Sequence, residues 1–460
     1  MTAFTYEVVT LASGLRVVLV PQNHLWGTSI NLFVRVGSRD ESPGEGGISH
    51  ALEHMLFRGC EGLPTPHAVS LAFEDRGGTL NASTHPDFTN FSLFVPSSEV
   101  DAALDDFGRL IARPLFEGWD IEQGVLRQEL LEDLDENGRD VNVEHALRLL
   151  AFPGHPLGLP VGGYLDSVSA LTVDDIARWH RKYYRPDNMV LTFAGALPKR
   201  PDLERFEQHL AVCAEAALSI PCPVRRLFTA AAVKSADDIQ GAMPSAVAGG
   251  GALDASTANQ RSAAQAKKKL TFGLAEPEKH THVDHSASQI DLRIAFLGPA
   301  LDDADLPAVK VLLRILDDGL STRLYRALCD GSGIAYEAFG ALELYEDIGL
   351  VECGVTVEPA RLSEAVDALW AVLRSLSESP PTAAERDKAL RRMRWDFEAL
   401  RDRPEEVASV ISLRVLFGKR LDQCFDFAPL EAVTIEDLAT QARRLFSPAT
   451  AVCATVGRLP

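Results

Sequence analysis

Residues 171–195, LTVDDIARWHRKYYRPDNMVLTFAG, align without a gap on residues 433–457, VTIEDLATQARRLFSPATAVCATVG. Thr, Asp, Ala, Arg, Pro, Val and Gly recur at matching places. Each copy reads as a Thr-capped helix, a Pro turn and a buried strand that ends in Gly. The openings correspond as well: SINLFVRVG near 29–37 and QIDLRIAFLG near 289–298 each read as a strand followed by an acidic loop and an apolar helix. Self-similarity on this scale predicts two copies of one α+β domain, each a mainly antiparallel sheet packed with helices. A chain of 460 residues is in any case too long for one ordinary core. Residues 229–268 are rich in Ala, Ser and Gly and almost devoid of large apolar side chains, which predicts a flexible linker. The expected division is a first domain over 1–225, a linker over 226–287 and a second domain over 288–460.

Composition narrows the setting. Hydrophobic content of 46% with 24% charged residues is that of a globular protein. There is no run of eighteen apolar residues and no basic-then-apolar start, so neither a membrane span nor a secretory signal is expected. A formal charge of −20 argues against a nucleic-acid partner. The seven cysteines are scattered, odd in number and without close metal-ligand spacing, which fits a reducing cytoplasm.

The stretch GISHALEHMLFRG, 47–59, places His50, Glu53 and His54 three and four residues apart on one helix face. Imidazoles at i and i+4 can ligate one zinc ion, with the carboxylate between them placed as a general base. This is the reversed order of the HExxH arrangement. Chance alone yields roughly 0.02 HxxEH matches for this composition. Ala51, Leu52, Met55, Leu56 and Phe57 mark the helix as mostly buried, and buried His, Glu and His need partners, which a metal supplies. Zinc requires a third protein ligand. The acidic segment IEQGVLRQELLEDLDENG offers Glu122, Glu129, Glu132 and Glu136, and periodicity alone does not choose among them. Glu122 and Glu129 lie two turns apart on one face, so one can bind metal while the other supports the site. The cluster His280-Thr-His-Val-Asp-His285 reads more simply as alternate residues on an exposed strand than as a metal site.

Several motifs in order identify a family. HALEHMLFRG (50–59), RGGTLNASTHPDFTNF (76–91), EQGVLRQE (122–129), HPLGLPVGG (155–163), YYRPDNMVLTFAG (183–195), GLSTRLYRAL (319–328) and GIAY (333–336) together resemble the inverted-zincin metallopeptidases. That family includes pitrilysin, insulin-degrading enzyme and mitochondrial processing peptidase, and the likeness is greatest to the bacterial half-size chains. The resemblance implies one zinc ion per chain on His50, His54 and Glu129, with Glu122 behind the ligands and Glu53 as general base. It further implies an edge strand near 77–84 to which extended peptides add, with Asn81, Ala82 and Tyr336 binding substrate. The expected activity is cleavage of oligopeptides or short unfolded segments inside a clam-like chamber. A dedicated processing peptidase for one precursor and a non-catalytic structural subunit are the alternatives.

One departure stands out. Family members with complete machinery carry an arginine seven positions before the tyrosine of GxAY. Here Tyr336 is present but position 329 is Cys, in LCDGSGIAY. A thiol offers no forked cationic donors, and Arg326 lies on another side of the turn. The expectation is a heterodimer whose partner, a homologous subunit, supplies the Arg/Tyr pair, with a homodimer as the alternative.

Overall fold

A computed structural model describes residues 4–42, 44–217, 225, 227–228 and 279–460. The expected linker core, 229–268, lies outside the described residues.

The first sheet contains β1 (Glu7–Thr10), β2 (Arg16–Pro21), β3 (Gly27–Val34), β4 (Thr79–Thr84), β5 (Thr89–Pro96) and β6 (Met189–Gly195), in the spatial order β1-β2-β6-β3-β5-β4. The second contains β7 (Lys279–Val283), β8 (Ile290–Gly298), β9 (Ala335–Leu344), β10 (Gly349–Val357) and β11 (Val452–Val456), in the order β7-β11-β8-β10-β9. Each sheet holds one parallel pair, β2–β6 and β7–β11, and is otherwise antiparallel. Strand for strand, β7-β11-β8-β10-β9 repeats β2-β6-β3-β5-β4, so the two-domain α+β organisation expected from the repeat is the observed one. Strand β7 falls inside the range expected as linker, 226–287, so the second sheet begins before residue 288. Its polar sequence KHTHV hides the strand: none of its side chains is fully buried while the main chain pairs with β11.

One face of each sheet is covered by helices of its own half. In the first, Ile30, Leu32, Phe91 and Leu93 pack with Leu52 and Met55 of the helix Ile48–Leu56 and with Ile176 and Trp179 of the helix Val173–Tyr183. Thr172 caps that last helix, and Thr434 caps its counterpart Ile435–Leu445 in the same way, each reciprocated by an Asp three residues on. The opposite faces are covered by exchange. The helix Pro404–Leu416 of the second half lays Val407, Ala408, Ile411 and Val415 on Val18, Val20, Phe33 and Val190 of the first sheet. The helix Val143–Ala151 of the first half lays Val143, Leu147 and Ala151 on Ala295, Leu350, Val452 and Ala454 of the second.

A buried ion cluster ties the halves together beside the metal-motif helix. Arg39 donates to Asp87 (2.9 Å) and to Asp347 (2.7 Å). Arg225 forks onto Asp40 (3.0 and 2.6 Å) and donates to Glu346 (3.0 Å). Buried charges persist only when paired in this way.

Candidate metal and peptide site

The helix Ile48–Leu56 divides its residues by period. Ile48, Ala51, Leu52, Met55 and Leu56 point into the core, which turns His50, Glu53 and His54 to the other side. Its start depends on Gly47, whose φ of 86° is left-handed and whose position leaves no room for a Cβ, which would lie 2.4 Å from the Gly162 carbonyl oxygen. The orphan amides there are satisfied by Glu41, which accepts from Gly47 N–H (2.8 Å) and Ser49 N–H (2.9 Å).

The acidic helix Trp119–Glu132 crosses alongside. Trp119, Glu122, Leu126 and Glu129 fall on one helical face, and Trp119, Glu122 and Leu126 are buried. Of the four glutamates left open by periodicity, Glu122 and Glu129 are the two whose carboxylates come within 4 Å of the histidines. Glu122 Oε1 lies 2.8 Å from His54 Nδ1, so Nδ1–H donates to Glu122 and Nε2 is left with its lone pair. Glu129 Oε2 stands 3.8 Å from His54 Nε2 and 3.9 Å from His50 Nε2. Among the described residues, His50, His54 and Glu129 are the one trio of ligating side chains with donor atoms all within 4.8 Å of one another. Donors around one zinc ion stand roughly 3.4 Å apart, and the two carboxylate-to-imidazole separations exceed that by about half an ångström, so these three side chains could hold the ion together. The donor set, two imidazoles and one carboxylate with a fixed tautomer, fits zinc.

Electrostatics differs between the two imidazoles. Burial, and then the neighbouring His54, lower the pKa of His50 to about 4, so it is a neutral ligand at physiological pH. For His54 burial acts against the charged form, but the Glu122 hydrogen bond and the charges of Glu129, Glu122 and Glu53 outweigh it and raise the pKa. Burial raises the Glu53 carboxyl above the usual range, opposed by a hydrogen bond from Thr84. A carboxylate so perturbed is suited to exchange protons.

Glu53 and His54 line a cavity of about 370 Å³ together with Phe57, Arg58, Leu80, Asn81, Ala82 and Glu122. Asn81 and Ala82 come from β4, the edge strand of the first sheet, whose outer main-chain groups have no neighbouring strand among the described residues. Along β4, Leu80, Ala82 and Thr84 alternate with the exposed Thr79, Asn81 and Ser83. Tyr336 belongs elsewhere: it sits 93% exposed near the start of β9, the edge strand of the second sheet. Cys329 lies on a π-helical turn, Arg326–Asp330, and packs against the second core. The nearby Arg361 is engaged by Glu364 and by the carbonyls of Ser332 and Gly333. Of the His280–His285 segment, His280 and His282 lie in β7 and His285 follows it; His282 Nδ1 lies 3.0 Å from Thr455 Oγ1.

Sequence reasoning missed Glu41, Arg58 and Thr84. Glu41 leaves one signal, an acidic residue shortly before a Gly-initiated helix. Arg58, whose Nη1 is 3.5 Å from Glu122, sits inside the quoted motif. Thr84, bonded to Glu53, follows the quoted Asn-Ala pair but carries no local mark of its role.

Residues 17–163 match the model of the insulinase family, peptidase family M16, and residues 170–393 match that of the peptidase M16 inactive domain. An uncharacterized zinc protease of Mycobacterium tuberculosis is 28% identical over 446 residues, covering 95% of this chain and 90% of that protein. The mitochondrial-processing peptidase subunit beta of Lentinula edodes is 30% identical over 208 residues, 45% of this chain and 44% of its own. A protease from Helicobacter pylori superposes with a TM-score of 0.76 at 20% identity, covering 98% of this chain and 99% of its own.

Proposed function

The chain belongs to the M16 family of peptidases, and we propose that it is a zinc-dependent endopeptidase subunit that cleaves oligopeptides and short unfolded segments. The observation that carries this reading is the convergence of His50, His54 and Glu129 beside Glu53, at a cavity floored by an edge strand. His50, His54 and Glu129 would hold one zinc ion, which supplies Lewis acidity that makes water nucleophilic near neutral pH. Glu122 keeps the His54 proton on Nδ1 and so holds the ring in its ligating tautomer. Glu53 takes the proton released as water attacks the peptide carbonyl and returns it to the leaving amine. The open edge of β4 receives the peptide main chain by strand addition, which tolerates many sequences, and Asn81 and Ala82 border the reacting bond.

The charge that develops on the carbonyl oxygen needs a donor. Cys329 cannot supply one, and Arg361 is already committed to its own contacts. We therefore assign the Arg/Tyr pair to a homologous partner subunit that closes a chamber over the site, with this chain contributing the metal. Free buried thiols at Cys60, Cys353 and Cys453 accord with a reducing, cytoplasmic setting.

The test is Glu53→Gln, measured for zinc content and for hydrolysis of an unbiased peptide library, with and without a homologous neighbour chain that carries the Arg/Tyr pair. Full zinc with turnover abolished is expected, and wild-type turnover that rises on adding the neighbour. Retained activity in E53Q sinks the base assignment. Full activity from the lone chain, unchanged by the neighbour, refutes the heterodimer.

A further inference from the structure

The general base is held by the strand that holds the substrate. Thr84 Oγ1 donates to Glu53 Oε2 at 2.5 Å, the one side-chain hydrogen bond to Glu53 among the described residues. Thr84 is the last residue of β4 and pairs with Thr89 across the hairpin, while Thr89 Oγ1 donates to the Val36 carbonyl (2.9 Å). The anchor is therefore itself fixed by the sheet. A β-branched threonine on a strand has few rotamers open to it, so its hydroxyl points one way. Ala82 and Leu80, two and four residues earlier on the same side of β4, pack against the core under the zinc-motif helix. Glu53 has three side-chain torsions, and without a partner a part-buried carboxylate samples orientations that do not face the cavity.

We propose that Thr84 is the positioning residue of Glu53: its hydroxyl fixes one carboxylate oxygen, leaves the other to move the proton, and joins base orientation to the strand that receives the peptide. This rests on the peptidase reading given above. One rigid element, β4, then registers both the scissile bond and the group that acts on it. Misplacing such a group by about an ångström costs on the order of a hundredfold in rate.

The test compares Thr84→Val, which keeps shape and strand preference but loses the hydroxyl, with Thr84→Ser, which keeps the hydroxyl. Turnover is measured in the assembly in which the wild-type chain cleaves. Zinc content, and affinity of the zinc-free chain for a labelled peptide, are measured alongside. T84V should keep zinc, peptide affinity and KM within about twofold while kcat falls about 10- to 100-fold, and T84S should recover most of the loss. If T84V folds poorly, Thr84→Ala should show the same split. Three results overturn the inference: kcat of T84V within twofold of wild type, T84S as poor as T84V, or peptide affinity falling in step with kcat. A crystal structure of the zinc-free T84V chain supplies a readout independent of activity. Glu53 swung away from β4 supports the inference, and Glu53 unmoved overturns it. A wild-type chain that cleaves nothing under any condition would sink the peptidase reading, and the crystallographic result would still decide on Thr84.

Discussion

Removing the carboxylate behind His54 should weaken zinc binding by an amount set by one hydrogen bond. Glu122 is buried, accepts from His54 Nδ1 at 2.8 Å and has Arg58 Nη1 at 3.5 Å from its other oxygen. A bond to a charged acceptor contributes about 1.5–3 kcal/mol, and a neutral one about 0.5–1.5 kcal/mol. Glu122→Gln keeps an acceptor and loses the charge, a difference of about 1–1.5 kcal/mol, or roughly five- to tenfold in zinc Kd. Glu122→Ala loses the bond and frees the ring to turn, which should cost roughly 10- to 100-fold. The assay is competition for zinc between the purified chain and a fluorescent chelator at pH 7.5, free of peptide, so that catalysis plays no part. The order wild type, Gln, Ala is the signature of a tautomer-fixing partner. Zinc affinities equal within twofold across the series, or a Gln variant weaker than the Ala one, would refute the assignment.

Ile411→Ala tests the exchanged helix: Ile411 is fully buried against the first sheet, so truncation should cost about 2–5 kcal/mol in urea unfolding, and a cost below about 0.5 kcal/mol would mean that the helix does not cover that face. His180 donates from Nε2 to the Ile111 carbonyl at 2.7 Å, and burial, with Arg181 nearby, holds its pKa at about 4, below the ordinary value of about 6.5. The native state binds fewer protons than the unfolded chain between those values, so stability is lost as pH falls from about 6.5 toward about 4, by up to about 3 kcal/mol. Unfolding free energies across that range should slope less steeply in His180→Gln than in wild type.

How much of this was legible in the sequence follows from the range of the interactions involved. The repeat was visible because helix caps, Pro turns and buried strands are local devices: Thr172 with Asp175 and Thr434 with Asp437 act over three residues in both copies. His50, Glu53 and His54 were legible because a helix converts spacing into a shared face, and the apolar residues between them say which face is inward. Choosing Glu129 and Glu122 over Glu132 and Glu136 required either the family pattern or the packing, since all four stand on the acidic segment and only the crossing of two helices turns a pair of them to the histidines. Strand β7 was hidden because its polar residues record solvent, while its main chain pairs with a strand some 170 positions away.

What the amino-acid sequence determines by itself is thus the inventory of local units: two copies of an α+β module and one helix carrying three ligand-type side chains. What only the tertiary structure decided is which units meet. The helices Pro404–Leu416 and Val143–Ala151 each carry enough apolar residues to cover a sheet, but nothing in either states that it covers the other half's sheet. The hydrophobic effect rewards buried area without regard to whose residues bury it. Thr84 is one polar strand residue among several until β4 is laid against the helix Ile48–Leu56, when its hydroxyl falls within a hydrogen bond of Glu53. Such contacts join residues 31 positions apart through a geometry that no local propensity encodes.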